Sequence, residues 1–446
     1  MAHGASGHKT PGRWGRLARL ASVGLRAGAA RLRGDETGER AAERSAAALG
    51  ALRGLAAKMG QMAGYVDGLV PEGQREAYEA AMKGLLRQAP PSPPALVREV
   101  VEGEFGAPLA RLFDEWDDAP LASASIGQVH RARLPGGREV AVKVQHPGVA
   151  AAVESDLANA ELFEGMAALL GARKFNTRAV VDVLRARFLE ELDYRHEAAR
   201  QRQFAAIHAG DPAIRVPEVV GERSGRRVLT SAFARGLGYD EACASPEGDR
   251  VAWSETLWRF VFKGNLVGGV FNADPHPGNY VFHEGGAVTF LDFGCTQAID
   301  PGLLPLARAM HEAALARDDG AFRRAAGRLM GAKPGRYEAL TTDFVRSSFE
   351  PVFASPFHLT REFAAGLLGQ AKAMALETPT IRDDELFLPP AELVFMNRLQ
   401  FGFYSVLARF DVRVDYAAVE RRFLGGAFLE GGPGSKGGRA QPYWRA

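Results

Sequence analysis

Two carboxylates and one amide, set at fixed spacing around a short β-hairpin, constrain this chain more than any other part of its sequence. Asp274-Pro-His-Pro-Gly-Asn279 places a carboxylate and an amide five residues apart, in a stretch whose prolines exclude a continuous helix. Strand-like runs on either side of Gly285-Gly286 follow, and the second, Val288-Thr-Phe-Leu291, delivers Asp292 thirteen residues beyond Asn279, just before Phe293-Gly294. Oxygen donors of this kind suit a hard cation such as Mg²⁺, which keeps some waters and takes the rest of its ligands from one or two carboxylates and a phosphate substrate. Transfer of a phosphoryl group calls for the same parts: an acid to orient the nucleophile, and an Asn and an Asp to hold the metal against the phosphates. Turn formation accounts for Asp and Asn singly, but not for the joint spacing of all three.

This spacing matches the catalytic and metal-binding loops of protein kinases, and it makes a demand upstream. A kinase needs a loop over the phosphates and a strand lysine that reaches them. Val140-Ala-Val-Lys143 is such a strand, and Lys143 is one of nine lysines against 46 arginines. A lysine flanked by apolar strand residues needs a partner, because an unpaired buried ammonium is costly. The plain alternative is an edge-strand lysine that blunts aggregation. Before it, where a kinase carries three glycines, stands Leu121-Ala-Ser-Ala-Ser-Ile-Gly-Gln-Val129. Gly127 and Val129 keep the spacing, whereas Ala122 and Ala124 replace the first two glycines. Alanine has less access to positive φ, so a loop built from Ala122, Ser123, Ala124 and Ser125 should be stiffer than its glycine counterpart.

The alanine-rich loop, Lys143, Asp274 with Asn279, and Asp292 together resemble the UbiB-type (AarF-like) atypical kinases. Lys58-Met-Gly-Gln61 resembles that family's Lys-x-Gly-Gln segment, and Glu191-Leu-Asp193 its Glu-x-Asp motif. The resemblance implies an α+β, protein-kinase-like bilobal fold with a small β-rich lobe, a helical lobe and an N-terminal helical extension. It implies ATP and Mg²⁺ as cofactors: Asp274 orients the nucleophile, Asn279 and Asp292 hold the metal, and Lys143 pairs the phosphates. Glu197, ahead of Glu191, positions that lysine. It further implies a latch in which Lys58 and Gln61, three apart on one helix face, meet Glu191 or Asp193. The biological setting it implies is isoprenoid-quinone or other membrane-lipid metabolism, with lipid or quinone intermediates as partners. Two readings compete: a nucleotide-gated scaffold that transfers no phosphate, and an ordinary Ser/Thr protein kinase. The alanine loop and the Lys58 extension count against the second. Two departures stand out, Asn272 where the family often has His, and no acidic residue in Thr230-Ser-Ala-Phe-Ala-Arg-Gly236.

Composition excludes other classes. With 55 basic against 53 acidic residues the chain has no nucleic-acid footprint. Two cysteines, Cys243 and Cys295, cannot build a disulfide framework. No apolar run reaches membrane-span length, and the first residues lack a signal-peptide core. The expectation is a cytoplasmic protein, peripheral at a membrane through its basic first residues. Residues 1–34 read as a basic arm and 35–115 as the helical extension, with the proline run at 88–94 and a short helix from Ala95 to Gly103 near its end. Residues 116–235 read as the small lobe with inserted helices, 236–430 as the helical lobe and 431–446 as a tail. Oligomeric state is left open.

Overall fold

The computed structural model describes residues 91–123, 126–151, 190–382, 385, 387 and 391–424. The basic arm, Lys58, Gln61, Ala124, Ser125 and the C-terminal tail lie outside the described residues. What is described divides into two compact units. The first comprises the residues up to Ala198 together with Val219–Phe233, and the second Ala199–Glu218 with the residues from Ala234 on.

The first unit begins with helix α1 (Pro94–Phe105), which starts where the proline run ends. Pro94 stands in its first turn, where a missing N–H costs nothing. Gly106, at φ 64°, closes the helix and donates its N–H to Glu102 O. Val97, Val100 and Val101 form its buried face. After a short helix α2 (Leu109–Leu112) come strands β1 (Glu115–Trp116), β2 (Ala122–Ser123), β3 (Gly127–Arg133) and β4 (Glu139–Gln145). Gly136 and Gly137, both at positive φ, make the turn between β3 and β4. All pairings in this sheet are antiparallel.

Alternation along β4 decides what each face does. Val140, Val142 and Val144 are fully buried in one cluster with the valines of α1, and Ala141 and Lys143 point to the other face. On the valine face β3 places polar residues, Gln128 and His130, beside Val144 and Val142. They are satisfied as a chain. Ser92 N donates to Gln128 Oε1 (2.7 Å), Gln128 Nε2 donates to His130 Nε2 (2.8 Å), and His130 Nδ1 donates to Asp117 O (2.8 Å). Ser92 Oγ also lies 2.8 Å from His146 Nδ1. The end of the proline run is therefore pinned to the sheet by buried hydrogen bonds.

Helix α3 (Tyr194–Ile207) belongs to the first unit up to Ala198 and to the second from there on. Strand β5 (Ile214–Arg215) belongs to the second unit, and β6 (Val228–Ala232) returns to the first to pair with β4. The run Pro217–Val220, read from sequence as a partner strand, contributes only a single bridge, Val219 to Ser231.

The second unit is built around α5 (Glu247–Leu266), which follows the short α4 (Tyr239–Cys243). Strands β7 (Val270–Asn272), β8 (Tyr280–Phe282), β9 (Val288–Phe290) and β10 (Thr296–Ala298) come next and form two small sheets, β5-β9-β8 and β7-β10. Gly285 and Gly286, at φ 71° and 77°, turn the chain between β8 and β9. Helices α6 (Leu304–Leu315), α7 (Asp319–Met330), α8 (Arg336–Ser348), α9 (Glu350–Phe353), α10 (Arg361–Glu377), α11 (Ala391–Ala408) and α12 (Tyr416–Leu424) complete the unit. Its aromatic core is dense: Phe260 stacks on Phe290 at 3.5 Å, and Trp258 meets Tyr416 at 4.2 Å between ring centroids. No helix among the described residues is long and apolar enough to cross a membrane.

Candidate active site

In the first unit the chemistry gathers on the face of the sheet opposite the valines. Lys143 pairs across the sheet with Val129 on β3 and Leu229 on β6, so its strand is central and cannot be an edge. Its Nζ lies 2.7 and 2.9 Å from the two oxygens of Glu197, on the first turn of α3. The carboxylate is 7% exposed and the lysine side chain 18%. The same ammonium sits 5.3 Å above the ring of Tyr194. The start of α3 is fixed from two sides: Tyr194 N donates to Arg226 O (2.9 Å), and Gln145 Nε2 donates to Leu192 O (2.8 Å). With the helix so anchored, Glu197 is the carboxylate that reaches Lys143. Glu191 sits half-buried in the turn before the helix. Asp193 accepts hydrogen bonds from Arg195 N and Nε (3.0 and 2.9 Å), and that guanidinium holds its carboxyl below the usual carboxylate range.

Ala122 and Ser123 pair with Val129 and Gln128, so the alanine-rich segment forms a hairpin over the start of β3. Ser123 Oγ is buried and finds no hydrogen-bond partner among the described residues. Gly127 is glycine for a steric reason, since an added Cβ would overlap Tyr194 Oη and Val144 O. The strand and the first residue of α3 thus approach more closely than any side chain would allow.

In the second unit the loop after β7 and the loop after β9 are tied together by Asn272. Its Nδ2 donates to Asp292 O (2.6 Å), and its Oδ1 accepts from Asp274 N (3.1 Å). Asn279 Nδ2 donates to Asp274 O (3.1 Å) and lies 3.3 Å from Asp274 Oδ2. Leu291 N donates to Asn279 O (2.9 Å), which brings the segment carrying Asp292 alongside Asn279. Asp292 Oδ1 accepts from Gly294 N (2.8 Å), and Phe293 between them is fully buried. The structure therefore gathers Asp274, Asn279 and Asp292 into one set of bonded loops, with all three side chains half-buried. Asn272 was noted from sequence only as a departure from a family pattern. Its bridging role was hidden, although Asn two residues before Asp is an Asx-turn signal. His276 accepts from Gly278 N (3.0 Å) and shapes the turn.

The donor set fits Mg²⁺ in kind. It offers only oxygen ligands, and because Asn279 Nδ2 faces Asp274, Asn279 Oδ1 is the atom left to a cation. Among the described residues no three His, Cys, Asp or Glu side chains cluster as a metal site. A divalent ion held here would keep waters or take phosphate oxygens as its remaining ligands.

Comparison with known proteins agrees with this geometry. A family model described as the ABC1 atypical kinase-like domain matches residues 84–325. An uncharacterized protein of Mycobacterium tuberculosis is 37% identical over 267 residues, covering 58% of this chain and 54% of that protein. The mitochondrial atypical kinase coq-8 of Caenorhabditis elegans is 28% identical over 384 residues, covering 84% and 49%. The mitochondrial atypical kinase COQ8B of Danio rerio is 32% identical over 256 residues, covering 57% and 40%. The chain thus spans about half the length, or less, of these curated relatives. A solved structure of the Rv3197–erythromycin complex from Mycobacterium tuberculosis superposes with a TM-score of 0.59 at 28% identity, covering 85% of this chain and 94% of that one. The chain belongs to the ABC1 atypical kinase-like family, of the UbiB and COQ8 type, and has its protein-kinase-like α+β fold.

Proposed function

We propose that the protein binds ATP with Mg²⁺ and turns it over as an atypical kinase or ATPase. The observation that carries this reading is the two-pronged contact of Lys143 with Glu197. A lysine oriented by a helix carboxylate on a central strand is the arrangement that presents an ammonium to nucleotide phosphates. Asp274 orients the attacking hydroxyl or water and accepts its proton. Asn279 Oδ1 and Asp292 hold the metal, which neutralises charge on the phosphates when bound. The hairpin carrying Ala122, Ser123, Ala124, Ser125, Gly127 and Val129 covers the phosphates, and the unpartnered Ser123 Oγ supplies a hydrogen bond to a phosphate oxygen.

The latch belongs to the same proposal: Lys58 and Gln61 regulate access by engaging Glu191 or Asp193, and Asp193 would exchange Arg195 for Lys58. In the cell the activity serves isoprenoid-quinone or membrane-lipid metabolism, with the protein cytoplasmic and peripheral at a lipid surface. The test is ATP turnover by the full chain, with and without anionic liposomes, for the wild type and Asp292→Asn. Turnover that rises with liposomes and is lost in Asp292→Asn supports the reading. Nucleotide binding without turnover in the wild type would instead mark a nucleotide-gated scaffold.

A further inference from the structure

The helical unit contains a cavity that none of these roles uses. It measures about 80 Å³ and is lined by side chains of α5, α6, α7, α9 and α11, Trp258, Met310, Val352 and Phe403 among them. Such a wall is what an apolar guest needs, yet one atom in it is out of place. Asn265 is 6% exposed, and its Oδ1 is buried without a hydrogen-bond partner. An orphaned buried acceptor is costly, and a native structure keeps one where something else satisfies it.

A second acceptor stands on the same lining. His311, 4% exposed, has its Nδ1 2.8 Å from Glu420 Oε2. Glu420 is fully buried and also accepts from Trp258 Nε1 at 3.0 Å. A carboxylate receiving two donors puts the imidazole proton on Nδ1 and leaves the Nε2 lone pair as the free end of the ring. The other polar lining groups are already engaged: Tyr404 Oη donates to Ser348 O (2.7 Å), and Gln400 Nε2 lies 3.3 Å from Tyr404 Oη. The cavity offers acceptors and lacks a donor.

We infer that this cavity binds an uncharged aliphatic molecule through a terminal hydroxyl, which donates to Asn265 Oδ1. The volume is roughly half that of an engineered ~150 Å³ cavity that admits benzene, so only the hydroxyl-bearing end enters. The remaining chain lies toward the half-buried Val261, Phe262, Leu303 and Ala307, where the lining reaches the surface. A carboxylate in place of the hydroxyl would face acceptors with no donor and the Glu420 charge behind them, so fatty acids are excluded. The site is independent of the nucleotide reading, because it uses none of Lys143, Glu197, Asp274, Asn279 or Asp292.

The test titrates the full chain by calorimetry with 1-octanol, with its isosteric ether 1-methoxyheptane, and with octanoate. In the wild type the alcohol binds about tenfold more tightly than the ether, the worth of one buried hydrogen bond, and octanoate binds no better than the ether. In Asn265→Leu the alcohol-to-ether ratio falls to about one. Leu303→Trp, which fills the cavity from its half-buried edge and leaves Asn265 in place, removes binding of both probes. Equal wild-type affinities for alcohol and ether, an alcohol preference that survives Asn265→Leu, or undiminished binding to Leu303→Trp would each overturn the inference.

Discussion

Lys143 Nζ lies within hydrogen-bonding distance of both carboxylate oxygens of Glu197, 54 residues further along the chain. The contact joins the middle strand of the small sheet to the first turn of a helix, and both groups are largely withdrawn from water. Removing one partner of such a pair leaves the other charge uncompensated and costs about 3–5 kcal/mol, whereas replacing both by apolar groups is close to neutral. Glu197→Ala should therefore lower stability by about 3 kcal/mol, the lower end of that range because Lys143 keeps some exposure. Lys143→Met combined with Glu197→Leu should recover most of the loss. Urea midpoints of the three chains measure this, and additive losses in the double variant would mean that the two groups do not depend on each other.

Gly127→Ala tests the close approach between β3 and α3. The new methyl overlaps a hydroxyl and a backbone carbonyl, so a cost of about 1–3 kcal/mol is expected, in the range for overpacking. Tyr194→Phe in the same chain should restore part of it by removing the hydroxyl, and only part, because Val144 O stays. Thermal unfolding of the single and double variants gives the comparison.

How far these features were legible in sequence differs from case to case. The hairpin turns were, because Gly136-Gly137 and Gly285-Gly286 need positive φ and sit between alternating apolar runs. The strand carrying Lys143 was too, since three valines at period two mark one face. Which acid faces that lysine was narrowed to Glu197 and Glu191 but not decided by spacing. The choice rests on where α3 begins, and hydrogen bonds from Arg226 and Gln145, distant in sequence, set that point. The buried chain through Ser92, Gln128, His130 and Asp117 was invisible for the same reason. Periodicity reports which face a residue occupies, not which polar atom it meets across the fold. Val216 to Val220 looked like a strand by composition, yet Pro217 removes a donor and the segment keeps only one bridge.

His208 should govern the acid side of the stability curve. Its ring is 3% exposed, 4.9 Å from the ring of Phe260, and neither nitrogen has a hydrogen-bond partner among the described residues. Burial first, and then the Lys263 charge, push its pKa down to about 3. The unfolded chain takes up the proton near pH 6.5 and the folded one does not, so this contribution is complete above about pH 6.5 and is lost as pH falls toward 3. Between pH 7 and 4.5 the loss should amount to roughly 2–3 kcal/mol. His208→Leu should flatten that segment of the curve, as read from urea midpoints at the two pH values. An unchanged slope would show that other groups cause it.

Asn272→Leu should loosen the loops that carry Asp274 and Asp292 without unfolding the unit. It removes the acceptor for Asp274 N and the donor to Asp292 O, each worth about 1 kcal/mol. Hydrogen exchange at the Asp274 amide should accelerate about fivefold or more, while amides of α5 keep their protection. Equal protection at Asp274 in both chains would show that Asn272 does not hold the loop.

The central claim is that Asp292 helps to hold a metal against bound nucleotide, and titration calorimetry of ATP into the full chain tests it most directly. With Mg²⁺ present the wild type should bind ATP at least tenfold more tightly than it does with a chelator. Asp292→Asn, which keeps the side chain's size and removes its charge, should lose that gain while its thermal unfolding stays that of the folded wild type. Mg·ATP affinity in folded Asp292→Asn equal to that of the wild type would contradict the account.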